Sequence, residues 1–146
     1  MKKIIIVSLI FLLLFTLYFY IRHPLGAEAI INGHTIRLEL AVTATEKEKG
    51  LGYRDSLPAN GGMLFVYQNK DRYGFWMKGM RFPLDFIWIT GNTVVDMSQN
   101  IPQPVGDTAQ PVSLAPSVPV DKVLEVNAGD IDRLGVKIGD LVQFSN

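Results

Sequence analysis

The stretch "YGFWMKGMRFPLDFIWI", Tyr73 to Ile89, mixes Lys78, Arg81 and Asp85 with aromatics and the methionines Met77 and Met80. Asp85 is its most informative residue. Its neighbours Leu84, Phe86, Ile87, Trp88 and Ile89 are all apolar, so either face of a strand here is a poor place for a charge. A buried carboxylate must be paired, hydrogen-bonded or protonated, because an isolated one costs several kcal/mol. If Tyr73 to Lys78 and Leu84 to Thr90 pair antiparallel across the intervening turn, one register sets Lys78 opposite Asp85 and Trp76 opposite Ile87. Arg54 and Arg81 are the alternative partners. Such a pair either fixes strand register or forms the charged floor of a cleft, where perturbed titration often marks a site.

Other chemistry is thinly supplied. Met63, Met77, Met80 and Met97 raise the idea of a soft-metal site, to which Met77, Met80 and His34 could supply three ligands if the fold brings them together. Methionine is also a common filler of irregular core gaps, and no metal or cofactor is implied. There is no cysteine, and the histidines are His23 and His34 alone, which leaves little for thiolate chemistry, a zinc-cysteine site or a histidine-based triad. No G-x-S-x-G, phosphate-binding Gly-Lys loop, H-E-x-x-H or calcium-loop pattern is present. Phe75, Trp76, Phe82, Phe86 and Trp88 suit a β core; as a ligand platform, several of them would have to be exposed together.

The elements that must position these residues follow an apolar N-terminal run. Ile4 to Ile21 is uncharged over 18 residues, with Lys2 and Lys3 before it and Arg22 after it. That is close to the roughly 20 residues needed to span a bilayer, and the flanking cations favour a cytoplasmic N-terminus. The expectation is a membrane anchor and juxtamembrane linker over residues 1–26, with residues 27–146 outside the cytoplasm. "AEA" at Ala27 to Ala29 offers the competing reading of a cleaved signal peptide and a secreted domain, but the run is longer than a usual signal core. Residues 27–146 hold 11 Lys and Arg against 14 Asp and Glu, a net charge of −3, which disfavours nucleic acid as a partner.

Within that domain, Asn32-Gly33 is a strong hairpin turn between two strands. "TATEKEKGLG" predicts a short helix capped at Thr43 or Thr45 and ending near Gly50 or Gly52. Met63 to Tyr67, Tyr73 to Lys78 and Leu84 to Thr90 read as strands, and Gly91-Asn92 as a tight turn into another. Five prolines between residues 102 and 119 make that region a long loop or edge segment. Val123 to Val126 reads as a strand, Asp130 as the cap of one helical turn, and Leu141 to Phe144 as a last strand. The pattern predicts an α+β, β-dominated fold: a compact barrel-like domain of short, mostly antiparallel strands with one or two short helices, behind an N-terminal transmembrane helix.

In order along the chain stand Gly50-Leu51 with Arg54, Gly62-Met63-Leu64-Phe65, Trp76-Met77-Lys78, Pro83-Leu84-Asp85 and Val123-Leu124-Glu125. Together these motifs, across roughly residues 30–144, resemble the prokaryotic family called domain of unknown function 192. Gly52 and Gly79-Met80 stand where that family usually carries Met and Asn-Thr. The resemblance implies a compact β-rich domain, often behind a signal or anchor, and implies no reaction. The matching charged residues Arg54, Lys78, Asp85 and Glu125 are expected to converge near Trp76 and Met63. Such a cluster suits a binding or accessory module for a small anionic or sugar-like ligand. It equally suits an envelope enzyme using Asp85 or Glu125 as acid or base, with Lys78 and Arg54 placing an anion. A third reading is an interaction module that engages an envelope protein through the Pro-rich loop 101–119.

Overall fold

The computed structural model describes Leu13, residues 26–106 and residues 110–145. The expected anchor over residues 4–21 lies outside the described residues apart from Leu13. Among the described residues no helix is long and apolar enough to cross a membrane.

Asn32 and Gly33 both adopt positive φ, 51° and 79°, as a two-residue hairpin turn requires, and they join β1 (Glu28–Ile31) to β2 (His34–Ala41). Helix α1 (Ala44–Lys49) follows. Its cap is Thr43, whose hydroxyl accepts from the Glu46 N–H while the Glu46 carboxylate accepts from the Thr43 N–H at 2.8 Å. This reciprocal box lets so short a helix hold its first turn.

The next strands are β3 (Gly61–Asp71), β4 (Phe75–Trp76), β5 (Leu84–Thr90) and β6 (Thr93–Ile101). After them come β7 (Ser113–Leu114), β8 (Val120–Asn127), helix α2 (Asp130–Arg133) and β9 (Gln143–Ser145). Seven strands form one sheet in the order β6-β5-β8-β3-β2-β1-β9, and β4 pairs with β7 in a small second sheet. Every pairing is antiparallel except β2 with β3. The large sheet curls into a half-barrel, and a bridge between Thr93 and Leu141 ties the β6 end to the chain entering β9.

Because strand residues alternate between faces, the central strands β3, β8 and β5 feed two cores. Leu64, Leu124, Val126, Ile87 and Ile89 pack inward with Ile31, Ile36, the α2 residue Ile131 and Leu134 just after α2. Met63, Phe65, Val123, Phe86 and Trp88 pack on the outer face beneath Leu51, Met77 and Met80. Strands apolar on both faces are what a sheet covered on both sides demands.

Three expectations are corrected. First, β4 does not pair with β5: β5 is a central strand bonded to β6 and β8, while β4 bonds to β7. No register therefore sets Lys78 opposite Asp85. Asp85 lies on the inner face beside Val126 and Ile87, whereas Lys78 belongs to the segment covering the outer face. Second, the strand beginning near Met63 continues to Asp71, because "QNKD" bends past an irregularity in its pairing with β8 and does not end it. Third, Asp130 is the first residue of α2, not its cap; its carboxylate accepts from Arg133 Nε at 2.7 Å.

The cap of α2 comes from another strand. Between Leu84–Ile101 and Phe86–Ser98 in the β5–β6 ladder, Gln99 and Asn100 face the single residue Asp85, a bulge that frees the Asn100 N–H. Asp85 accepts that N–H at 2.7 Å and the Ile131 N–H in the first turn of α2 at 2.9 Å. It is a tie between β5, β6 and α2.

The described parts of the Pro-rich region are loop and a short edge strand, as expected. Its described part contains the two-residue strand β7, and Asp96 on β6 accepts the Ser117 N–H at 2.7 Å to hold its far end.

Candidate functional site

The second buried carboxylate, Glu125, has no such partners. On β8 it stands opposite Met63 on β3 and Phe86 on β5, so its side chain rises from the outer face between a thioether and an aromatic ring. It is 5% exposed, and its Oε2 has no hydrogen-bond partner among the described residues. Burial pushes its carboxyl from 4.5 up to about 8, against a downward pull from the Arg54 guanidinium. At neutral pH Glu125 is therefore a protonated acid able to donate a hydrogen bond.

Three segments surround it. The capping box fixes α1, so its C-terminal turn brings Lys47 and Lys49 to the edge of the site. On the opposite side, alternation along residues 75–78 decides what faces where. Phe75 turns inward and packs edge-on against Phe65, Phe86 and Trp88 at centroid distances of 4.9, 5.8 and 5.5 Å. Met77 is buried, and its N–H bonds the Val112 carbonyl at 2.9 Å. Trp76 and Lys78 consequently point out, with Trp76 53% exposed and the Lys78 Nζ 5.2 Å from its ring.

The loop after α1 closes the third side. The Tyr53 N–H bonds the Gly79 carbonyl at 2.7 Å, and the Tyr53 ring lies over Gly79, where a Cβ would come within 2.8 Å of it. Gly79 is further fixed by φ of 71°, and Tyr53 itself holds φ of 65°. A non-glycine residue in that region carries strain, which here is held by the docked loop. Arg54, next in the same loop, has its guanidinium in a two-pronged contact with Glu39 at 2.6 and 2.8 Å. Those bonds, ahead of other influences, raise its pKa further.

The result is a two-part cavity. An outer cleft of about 290 Å³ is lined by Thr45, Glu48, Lys49, Tyr53, Trp76 and Lys78. An inner chamber of about 40 Å³ shares Glu48, Lys49, Trp76 and Lys78 with it and reaches Glu125. The chamber has room for one water or one small ligand group. Lys47 also borders it, with its Nζ 4.2 Å from the Tyr67 ring, and burial lowers its pKa despite neighbouring Glu46. Burial pushes the Tyr67 phenol up to about 12, with Tyr73 and Glu125 adding to the rise.

Of the six residues expected to converge, Lys78, Glu125 and Trp76 line this cavity, Met63 packs beside Glu125, and Arg54 acts on it electrostatically. Asp85 is on the other face of the sheet. The sequence reading did not single out Lys47, Glu48, Lys49 or Tyr53 as site residues. The alternating charges of "EKEK" next to "GLGY" were their only signal. Met77 and Met80 pack in the outer core while His34 is exposed at the β1–β2 turn, so these three do not form a ligand set.

Fold and site define a small β-rich module with one unpaired acid beneath a cationic, aromatic cleft. The chain matches the family described as DUF192, an uncharacterized ACR, over residues 27–144, and belongs to it. It is similar to two crystal structures. One is a Sinorhizobium meliloti 1021 protein described as a candidate transcription regulator, with 32% identity, a TM-score of 0.71, and coverage of 82% of this chain and 94% of that one. The other is a protein of unknown function from Novosphingobium aromaticivorans DSM 12444, with 33% identity, a TM-score of 0.68, and coverage of 83% and 89%. No curated protein matches the chain.

Proposed function

We propose that this protein is a binding module for a small anionic ligand, seated in the cleft between α1 and the 76–78 segment. The observation that carries this reading is Glu125. A buried carboxyl without a partner destabilises the fold that contains it, and such a group opening onto a cleft is better explained by a ligand than by packing. Lys49 and Lys78 at the rim supply the charge for an anion, and Trp76 supplies an exposed ring for stacking. In this reading the apolar run at residues 4–21 anchors the module to a membrane, with its domain outside the cytoplasm. That part rests on the run's length and flanking lysines alone.

A ligand that binds only the folded state raises its melting temperature by mass action. Thermal unfolding in a panel of small organic and inorganic anions should therefore show stabilisation by at least one of them. The Lys49→Ala/Lys78→Ala double variant should lose that stabilisation. A panel without effect on the wild type, or an equal effect on the double variant, contradicts the reading.

A second reading is favoured by the same acid. A carboxyl with a pKa of about 8 is matched to proton transfer near neutrality, so Glu125 suits a general acid in an envelope enzyme. Asp85 does not share that role, since its oxygens hold two backbone N–H groups. Arg54 is engaged with Glu39, which leaves Lys78 and Lys49 to place the anion. Binding to a partner through the Pro-rich loop rests on its exposed Val105, Val112 and Val118. The regulator description of the Sinorhizobium relative finds little support in this chain, whose residues 27–146 carry a net charge of −3.

A further inference from the structure

We infer that the ligand of this cleft is a monosaccharide bearing an anionic group, a uronate or a sugar phosphate, and that Glu125 selects it by donating a hydrogen bond to one uncharged ligand oxygen. This inference rests on the proposed binding function and narrows it. Three features of the cavity carry it. The first is size. The outer cleft, at about 290 Å³, lies at the lower end of the range for small-molecule pockets, and the inner chamber of about 40 Å³ admits one or two heavy atoms. The ligand is therefore a single small ring or its equivalent with one short projecting group.

The second feature is the pairing of walls. Trp76 and Tyr53 line the same cleft with 53% and 67% of their surfaces exposed, and Tyr53 is held there by Gly79 and by its own bond to the Gly79 carbonyl. Exposed aromatic faces with fixed backbones suit the apolar C–H face of a sugar ring.

The third feature is mixed polarity. A simple anion needs only the cations Lys49 and Lys78. This cleft also presents the Glu48 carboxylate, which only accepts hydrogen bonds, and the Thr45 hydroxyl, which does both. A ligand that satisfies all four carries an anionic group together with hydroxyls. The chamber adds the same demand in a drier place. The Glu125 Oε2 is sealed from solvent and unpartnered, so an ionised ligand group reaching it would lose its hydration beside an acid that itself resists ionisation. A hydroxyl or carbonyl oxygen accepts the Glu125 proton in a hydrogen bond without adding charge.

The test uses the two tryptophans of the chain as reporter and reference. Trp76 is half exposed in the cleft, and Trp88 is fully buried with its indole N–H bonded to Ser98 Oγ at 3.0 Å. Fluorescence titrations of the full-length protein would compare glucuronate and glucose 6-phosphate with glucose and with inorganic phosphate. The expected result is a saturable change for at least one of the two acidic sugars. Glucose and phosphate should bind at least about tenfold more weakly, since each lacks one half of the recognition. Trp76→Phe should remove the signal.

Glu125→Leu, an apolar residue between Met63 and Phe86 that suits the strand, should weaken the acidic sugar by about tenfold or more. Glu125→Gln, which keeps a donor, should bind within about threefold of wild type. Circular dichroism would establish that both variants are folded. If phosphate binds as tightly as the acidic sugars, the sugar assignment is overturned while the anion-binding reading stands. If an acidic sugar binds and Glu125→Leu binds it equally well, the selecting role of Glu125 is overturned. If none of the four probes changes the fluorescence and no anion alters thermal unfolding, both readings fall.

Discussion

Asp85 and Glu125 sit on adjacent central strands, two carboxylates 0% and 5% exposed, and yet they do opposite things. On the inner face, Asp85 answers two backbone N–H groups that would otherwise be orphaned, one freed by the β6 bulge and one at the start of α2. On the outer face, Glu125 Oε2 has no partner among the described residues and lies next to a chamber that opens into a cleft. The difference teaches that burial alone does not separate a structural charge from a functional one. The count of satisfied lone pairs does, because protein interiors leave very few polar groups unpaired without a reason.

The largest expected effect breaks the structural half of this comparison. Asp85→Ala removes an acceptor shared by two backbone donors, and charge-assisted bonds are worth about 1.5–3 kcal/mol each. Urea unfolding should show a loss of about 3–5 kcal/mol, with ligand affinity of the remaining folded protein little changed. A stable Asp85→Ala protein with an altered cleft would reverse the assignment of roles.

Next in size is Glu125→Gln, which should stabilise. Folded Glu125 stays protonated up to about pH 8, while in the unfolded chain it ionises above its ordinary 4.5. Its contribution to stability is therefore complete below pH 4.5 and is lost progressively as the pH rises to about 8. A neutral amide removes that slope. Unfolding at pH 8 should show the variant more stable by about 1–3 kcal/mol, part of the gain being offset by the amide's own unmet hydrogen bonds. The variant's advantage should shrink as the pH falls and reverse towards pH 4, where only the cost of the amide remains.

A smaller effect tests how the cleft is positioned. Thr43→Ala opens the capping box of α1 and should cost about 1 kcal/mol. Because Lys47 and Lys49 ride on this helix, anion affinity should fall with it, measurable in the same thermal titration. The smallest effect is at Arg54. Its pair with Glu39 is partly exposed and screened by solvent, so Arg54→Met should change stability by less than about 1 kcal/mol. It should nonetheless move the Glu125 titration to still higher pH, by removing the one cation that lowers it.

What the sequence made legible was local. Asn32-Gly33 and Gly91-Asn92 each close within a few residues and stand where their residue types predict, and the cap of α1 falls on Thr43, one of the two threonines expected. Asp85 was recognisable as a buried carboxylate because its strand is apolar on both sides. Its partners were not, since one lies at a bulge and the other 46 residues further along the chain. The expected Lys78 partnership assumed that neighbouring strands in sequence pair in space. Instead β6 and β8 take both edges of β5, and β4 bonds to β7. Glu125 carried a weaker form of that signal, an acid among Val123, Leu124 and Val126 in a strand that also holds Asp121 and Lys122. Its lack of partners depends on what α1 and β4 bring over it, which no local pattern encodes.

The most direct test of the central claim is the protonation of Glu125 itself, followed by carbon-detected NMR of the labelled side-chain carboxyl across pH 3 to 9 and assigned by its absence in Glu125→Gln. The expected resonance stays in its protonated position through neutrality and titrates near pH 8. A Glu125 carboxyl that titrates between pH 4 and 5 would mean that it is solvated or paired in solution, and would contradict the claim that an unpartnered acid underlies this cleft.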